Sequence, residues 1–273
     1  MKITEARILV FDTETTGVDP AEARIVELGA VAIAAGRSTE KLHTFVNPGC
    51  PIPAEVSAIH GVTDADVQDA PSFAELAPRV AERFHSVDVV AGYNAVHYDV
   101  PLLNAELARV GSDFQADLGR VLDPVVFIRW HLRHLRERTL GAICVHLGID
   151  LSDAHSAVAD SIAAGRVLFS LVRMGLVPDD VDAALGAQAA LQAIEQAEGE
   201  RWTYWLYGCR TDSETLRLGC GKHIGRPLRE VDAGYLGFLL RTIEDLPTAV
   251  RAEFEDEMRR RRDAGAMRAE GRP

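Results

Sequence analysis

The order of the apolar runs along the chain is the feature that most restricts its fold. Three runs typical of strands come first, at residues 7–16, 25–34 and 41–46. Beyond them the apolar residues recur at helical spacing, and short apolar strands at residues 87–92 and near Val121 interrupt the helices. Strands first and alternating elements afterwards predict an α/β domain with a mixed sheet, ending near Leu176.

A change of composition after this region predicts a second, smaller domain. Residues 177–200 are rich in Ala, Gln and Glu and are predicted to form a helical linker. Residues 201–273 are predicted to form a small α+β domain. Its expected elements are a hairpin of residues 202–207 and 215–218, and an amphipathic helix from about Tyr235.

The charge of the chain limits the ways in which it could act on nucleic acid. Of its 273 residues, 47% are hydrophobic and 26% charged, which is ordinary for a folded globular protein. The formal net charge of −12 argues against a protein that coats nucleic acid by bulk positive charge. It leaves open a local basic groove or bound cations.

The cysteines and the apolar runs indicate a cellular compartment. The four cysteines are irregularly spaced and form no CxxC pair, which is typical of a reducing compartment without a disulfide framework. The first residues contain no apolar signal segment, and no apolar run approaches the roughly 20 residues of a membrane span. We therefore expect a cytoplasmic location and no membrane partner.

Two acids end the first predicted strand. Asp12 and Glu14 are two residues apart, so a strand places both carboxylates on one face. Like charges there are costly unless a cation lies between them, and hard divalent cations prefer carboxylate oxygens. The alternative is a polar strand end that leads into a turn. The small residues Thr13 and Gly17 favour the site, because they let another backbone segment approach.

Two further acids and a histidine extend this candidate site. Asp99 precedes Pro101 and lies at or near a helix N-terminus, where the alternative reading is a simple N-cap. Asp160 follows His155 by five residues, about 140° around a regular helix. Both could meet at one point only if His155 lies on a loop before the helix. A loop position suits a base near neutral pH, although a solvated loop histidine would look the same.

Taken together, these segments resemble the motifs of a known superfamily. FDTETTG at residues 11–17, the segment from Asn94 to Asp99, and HSAVAD at residues 155–160 are similar to the three motifs of the DEDD 3′–5′ exonucleases. The histidine in the third motif is typical of the DEDDh, or DnaQ-like, subclass. IHGVT at residues 59–63 is similar to a turn common in that group.

The resemblance implies a fold and a set of metal ligands. The implied fold is ribonuclease H-like, a mixed five-stranded sheet flanked by helices. Asp12, Glu14, Asp99 and Asp160 are the implied ligands of two divalent cations, Mg²⁺ or Mn²⁺, and His155 is the implied general base. Two such ions about 3.5–4 Å apart suit phosphodiester hydrolysis. Their charge would balance the four carboxylates.

The implied activity is removal of nucleotides from the 3′ end of single-stranded nucleic acid, with DNA favoured. Nucleoside 5′-monophosphates would be released in a repair or proofreading role, with a polymerase or repair complex as a partner. The oligomeric state stays open.

Thr15, His60 and Asn94 are candidate substrate contacts, and ordinary turn or hydrogen-bonding roles are the alternative. The basic stretch at residues 129–138 is either a phosphate track or a solvated face. An RNA-trimming exoribonuclease and a catalytically retired binding module are the other hypotheses.

A shorter resemblance concerns the C-terminal region. GKHIGRPL at residues 221–228, with Val231 and Tyr235 beyond it, is similar to the small module that follows exonuclease X-like domains. Lys222, His223 and Arg226 could form a basic surface for nucleic acid, or they could be ordinary solvated charges.

Overall fold

A computed structural model of the chain gives its architecture. It describes residues 1–132, 135, 137–151, 156–207, 216–219, 222–243, 246 and 248–270, without the side chains of 196–205, 207, 248–249 and 263–270. The described part divides into two compact units, one of residues 1–129 and 137–190, the other of residues 130–136 and 191–273.

The first unit is built on a mixed sheet of five strands. They are β1 (Ile8–Thr15), β2 (Ile25–Ala34), β3 (Arg37–Phe45), β4 (Val89–Ala91) and β5 (Val121–Leu122). Their order is β3-β2-β1-β4-β5, with β1 and β3 antiparallel to β2, and β1, β4 and β5 mutually parallel. The predicted mixed five-stranded sheet flanked by helices is confirmed. Strand β3 begins four residues earlier than expected because the β2–β3 hairpin turns tightly at Ala35 and Gly36.

Helices α3 and α4 pack on one face of this sheet and α7 on the other. Eight helices begin in the described part of this unit, and the last of them extends beyond it. They are α1 (Ala54–His60), α2 (Asp64–Val67), α3 (Phe73–His85), α4 (Asp99–Arg109), α5 (Pro124–His131), α6 (Leu140–Leu147), α7 (Ala157–Arg173) and α8 (Val181–Trp205). Side chains alternate along β1, so Leu9 and Phe11 join the core that contains residues of α3 and α4. Val10 lies on the opposite face, where Gly165 of α7 packs over it. Asp12 and Glu14 share that second face.

The helix ends follow their local sequence. Ser72 and Glu75 form a capping box at the start of α3, in which the Glu75 carboxylate accepts the Ser72 N–H at 2.8 Å. Helix α6 starts at the Thr139 cap and ends at Gly148 in the left-handed conformation. Helix α4 begins two residues before Pro101, which therefore occupies its first turn.

The second unit has its own small core. It contains the short antiparallel pair β6 (Leu206–Tyr207) and β7 (Arg217–Leu218), with α9 (Ala233–Thr242) and α10 (Thr248–Glu270). Leu206, Leu218, Leu236, Val250 and Phe254 are buried together. The strand predicted at residues 202–207 is wrong over most of its length. Helix α8 continues to Trp205, because a helix already in progress adds a hydrogen bond with each further residue.

The boundary between the units lies inside α8. The first unit extends to Ala190, beyond the domain end expected near Leu176. The linker predicted at residues 177–200 therefore coincides largely with a helix whose first ten residues, 181–190, belong to the first unit. The assignment of residues 1–176, 177–200 and 201–273 to separate functional parts stays a prediction. In the described part of the chain, no helix is long and apolar enough to cross a membrane.

Candidate active site

Three acids meet on the face of the sheet that α7 covers. The alternation of β1 places Asp12 and Glu14 on this face, and Asp160 lies in the first turn of α7 above them. Oxygen atoms of these three carboxylates lie within 4.8 Å of one another, and each residue is half-buried. The sequence-based expectation that the acids of the first and third motifs converge is thus met in the geometry.

Gly29 allows α7 to come this close. It lies opposite Asp12 on β2, and a Cβ atom built on it would fall 2.1 Å from the carbonyl carbon of Ala157. The hydroxyl of Ser161, the residue after Asp160, donates a 2.9 Å hydrogen bond to the Gly29 carbonyl. The absence of a side chain at Gly29 therefore lets the N-terminal turn of α7 lie directly on the sheet.

The fourth acid, Asp99, approaches from the N-terminus of α4. It is 4% exposed, and its Oδ1 accepts hydrogen bonds from the Thr13 backbone N–H at 3.1 Å and the Thr13 hydroxyl at 2.6 Å. It is the first residue of α4 rather than its N-cap, which is Tyr98, so the N-cap reading is wrong. Its side chain is turned toward β1 because Thr13 offers two donors there.

The pKa values of three of these acids are raised by burial and by the nearby negative charges. Burial and the carboxylates of Asp99, Glu14 and Asp160 raise the pKa of Asp12 well above its usual range. Burial, followed by Glu27, raises the pKa of Glu14 to about 8. Burial raises the pKa of Asp99 to about 7, against the lowering effect of the Thr13 hydrogen bond. Carboxylates with raised pKa values in one cluster suit a site that a cation completes.

The donor set fits hard divalent cations. Carboxylate oxygens are the ligands that Mg²⁺ and Mn²⁺ prefer, and a half-buried cluster leaves room for water and substrate oxygens. Asp12, Glu14 and Asp160 could hold one such ion. Asp99 lies close enough to Asp12 to raise its pKa.

Two residues of this site were missed by the sequence reasoning. Glu27 is 4% exposed and lies directly opposite Glu14, and its carboxylate is 2.9 Å from Nε2 of His43. Asp123 is fully buried after β5 and accepts backbone N–H groups from Asn94 and Val96. A lone acid inside an otherwise apolar strand, as in IVELGAVAIA, is a signal that could have revealed Glu27.

The predicted substrate contacts lie around these acids. The hydroxyl groups of Thr15 and Tyr98 are 2.7 Å apart, and both contact the Gly17 carbonyl. His60 is buried, with Nε2 at 3.1 Å from the Thr15 carbonyl. Its Nδ1 accepts the Val62 N–H, which places the ring proton on Nε2. Both ring nitrogens of His60 therefore hold backbone groups.

Asn94 adopts the left-handed conformation with φ of 63°. Its Oδ1 lies 3.5 Å from Nη2 of Arg129, which belongs to the basic stretch. His155 and residues 133, 134 and 136 of that stretch lie outside the described residues. Gly221 of the C-terminal motif also lies outside the described residues. Two other residues of that motif, His223 and Tyr235, have rings in contact, with 4.7 Å between their centroids.

The comparison with protein families decides the identity of the first unit. Residues 9–168, more than half of the chain, match the model of the exonuclease family RNase_T. The chain belongs to this exonuclease family. The resemblance to DEDDh-type 3′–5′ exonucleases is thereby confirmed. All four acids of the site lie inside the matched residues.

Part of the chain is also similar in sequence to DNA polymerase III proteins. The DNA polymerase III PolC-type protein of Oceanobacillus iheyensis is 33% identical over 172 residues, which are 62% of this chain and 12% of that protein. The DNA polymerase III subunit epsilon of Buchnera aphidicola subsp. Schizaphis graminum is 31% identical over 179 residues, 62% of this chain and 75% of that protein. The chain therefore spans only about an eighth of the PolC-type relative.

Solved structures support the fold of this family. The zinc-bound form of an Escherichia coli exonuclease I complex with single-stranded DNA superposes with a TM-score of 0.59. The alignment is 20% identical and covers 88% of this chain and 60% of that chain. At this identity the likeness concerns the fold alone.

Proposed function

We propose that the chain is a metal-dependent 3′–5′ exonuclease that removes nucleoside 5′-monophosphates from the 3′ end of single-stranded nucleic acid, with DNA as the favoured substrate. The observation that carries this proposal is the carboxylate cluster of Asp12, Glu14 and Asp160, all within 4.8 Å. The family match supports hydrolysis as the reaction, and the relatives named as DNA polymerase III proteins support DNA as the substrate.

The acids have one shared role in this proposal. Asp12, Glu14, Asp99 and Asp160 are the residues that would hold two divalent cations, Mg²⁺ or Mn²⁺. When bound, such ions would supply a water molecule of lowered pKa and stabilise negative charge on the leaving 3′ oxygen. The raised pKa values of Glu14 and Asp99 mean that protons and cations compete for the same oxygens.

Other residues would position the substrate and move the proton. His155 precedes α7 and is proposed to take the proton of the attacking water. Thr15 and Asn94 are proposed to contact the terminal nucleotide, and His60 to hold the Thr15 carbonyl that it bonds at 3.1 Å. Tyr98 shares the Gly17 carbonyl with Thr15 and completes this edge of the site.

Digestion of end-labelled oligonucleotides tests this function. Matched 5′-labelled single-stranded DNA and RNA are incubated with Mg²⁺, with Mn²⁺ and with chelator. We expect a ladder that shortens from the 3′ end of DNA, absent with chelator. Asp12→Asn should abolish it, whereas Asp113→Asn, the same change at an exposed residue, should not. A ladder on RNA alone would favour an exoribonuclease, and tight binding without any ladder would favour a retired binding module.

The relatives also suggest a partner. We infer that the chain acts in repair or proofreading beside a polymerase, because PolC-type and epsilon proteins of DNA polymerase III are among its relatives. Co-purification of the tagged full chain with a DNA polymerase would support this role. An exonuclease that purifies without any polymerase and acts on free 3′ ends would contradict it.

A further inference from the structure

A buried glutamine of α8 is connected to the active site by hydrogen bonds. Gln188 is 3% exposed, and it lies outside the residues that match the exonuclease family. Its Oε1 accepts the Asp123 N–H at 2.7 Å, and its Nε2 donates to the Val121 carbonyl at 2.8 Å. The side-chain amide thus spans β5 and fixes the residue that follows it.

The carboxylate of Asp123 in turn binds backbone N–H groups of the segment that follows β4. Its Oδ1 accepts the N–H groups of Asn94 at 3.0 Å and Val125 at 2.9 Å. Its Oδ2 accepts the N–H of Val96 at 3.2 Å. One buried carboxylate therefore ties the turn at residues 94–96 to the start of α5.

The turn at Asn94 requires such a restraint. A φ of 63° is unfavourable for residues other than glycine, although asparagine tolerates it better than most. Capture of the Asn94 N–H by Asp123 stabilises this conformation and so holds the backbone from which the Asn94 side chain projects toward Arg129.

Asp99, at the other end of the same segment, has a second anchor on β1. Its carboxylate is bound by the backbone and hydroxyl of Thr13 on β1. The Tyr98 N–H also bonds the Asn94 carbonyl at 3.1 Å, but the anchor on β1 should keep the proposed metal ligand Asp99 in place when a disturbance at Gln188 moves Asn94.

We propose that Gln188 is a positioning residue that, through Asp123, sets the place of Asn94 in the nucleotide-binding part of the site. The inference rests on the proposed exonuclease function for its kinetic consequence. It assigns a role in the site to a helix that lies beyond the family match. Leucine at this position would fill similar space but leave the Asp123 N–H buried without this acceptor.

Steady-state kinetics of Gln188→Leu on a 5′-labelled oligothymidylate test the proposal. We expect KM to rise about ten-fold, the order expected when a buried hydrogen bond is lost, with kcat within about two-fold of wild type. The Mg²⁺ concentration that half-activates the enzyme should not change. Val181→Ala, which trims another buried side chain of α8, is the matched control and should leave KM unchanged.

A double-mutant cycle asks whether the effect passes through Asn94. In an Asn94→Ala background, Gln188→Leu should raise KM less than two-fold further, because the side chain that it positions is already gone. A full ten-fold effect in that background would overturn the proposal. Equal KM values for wild type and Gln188→Leu, or a shifted Mg²⁺ dependence, would do the same.

Amide hydrogen exchange gives a readout that does not depend on catalysis. Gln188→Leu should accelerate exchange of the Asn94 and Val96 N–H groups about ten-fold, and leave that of Thr13 unchanged. Unchanged exchange at Asn94 would refute the positioning role even if the enzyme is active. Accelerated exchange in a protein without nuclease activity would refute the proposed function and leave the physical connection standing.

Discussion

Glu14 and Glu27 lie directly opposite each other on β1 and β2, with both carboxylates on the face that α7 covers. Like charges at directly opposed strand positions destabilise a sheet, and here one of them is almost fully buried. His43 lies 2.9 Å from the Glu27 carboxylate on its other side. Burial and then Glu27 raise the pKa of Glu14 to about 8. Glu27 thus favours the protonated form of Glu14 near neutral pH, which would weaken the proposed binding of a cation there.

The first prediction follows from this pair. Glu27→Gln removes a negative charge beside Glu14, so the pKa of Glu14 should fall by about one unit. Cations bind the ionised carboxylate, so the pH at which Mg²⁺ binding is half-maximal should move down by a similar amount. Calorimetric titration of Mg²⁺ between pH 6 and pH 9 measures this shift. Glu22→Gln, the same change at an exposed residue, should have no effect, and an unmoved Glu27→Gln midpoint would contradict the prediction.

The second prediction concerns stability without metal. The pKa of Glu14 is raised from 4.5 to about 8, so the folded state binds a proton that the unfolded state has lost between these values. The free energy of unfolding should therefore fall as pH rises through this window, and the penalty is fully present above about pH 8. Asp12 and Asp99 shift in the same direction. We expect the chelated protein to melt about 5 °C lower at pH 8.5 than at pH 5.5.

Added cation should remove most of this dependence. In the proposed function Mg²⁺ would bind the folded state and neutralise the cluster, so its stabilisation should be greatest at high pH. Thermal unfolding with 10 mM chelator or about 10 mM Mg²⁺ at both pH values makes the comparison. A chelated protein that grows more stable toward pH 8.5 would show that the sign is wrong.

Much of the catalytic unit could be predicted from the chain alone. The strands, the placement of Asp12 and Glu14 on one face, and the start of α7 before Asp160 all depend on local periodicity and spacing, which the sequence carries directly. Glu27 and Asp123 were missed because each acts through partners far away in sequence. No local pattern shows that Glu27 lies opposite Glu14, since register becomes visible only when the strands pair.

The errors also have physical causes. The N-cap alternative for Asp99 fails because the approach of Thr13 turns its carboxylate toward β1, a contact that the local sequence does not show. Aromatic residues favour strands, which predicted a strand at residues 202–207, but continuation of α8 overrides this preference as far as Trp205. Local propensity is a weak guide where a neighbouring element or a distant contact offers a better arrangement.

The third prediction concerns the close approach of α7 to β2. Gly29→Ala would place a Cβ atom 2.1 Å from the Ala157 carbonyl carbon, so α7 has to move away from the sheet. We expect a loss of about 1–3 kcal/mol in the free energy of unfolding. Asp160 should also move away from Asp12, and nuclease activity should fall more than ten-fold even at temperatures where the variant is folded.

A second glycine provides the control for this variant. Gly141 lies in α6, and a Cβ there meets nothing within 4 Å. Gly141→Ala should therefore be neutral or slightly stabilising, because alanine favours a helix. Thermal unfolding and activity at 20 °C are measured for both variants. A fully active, wild-type-stable Gly29→Ala protein would show that α7 does not need this contact.

The last prediction tests the bond between Thr13 and Asp99. The Thr13 hydroxyl donates to the Asp99 carboxylate at 2.6 Å and lowers the pKa of that acid, which burial raises to about 7. Thr13→Val keeps the shape and the backbone donor but removes the hydroxyl, so the pKa of Asp99 should rise by about one unit. Because the proposed role of Asp99 as a metal ligand needs the ionised carboxylate, the acidic limb of the pH–rate profile should move up by the same amount. Activity at pH 7 should fall several-fold and recover near pH 9, whereas Thr13→Ser, which keeps the hydroxyl, should follow wild type. A Thr13→Val profile that loses activity equally at every pH would mean that the hydroxyl serves only to pack the site.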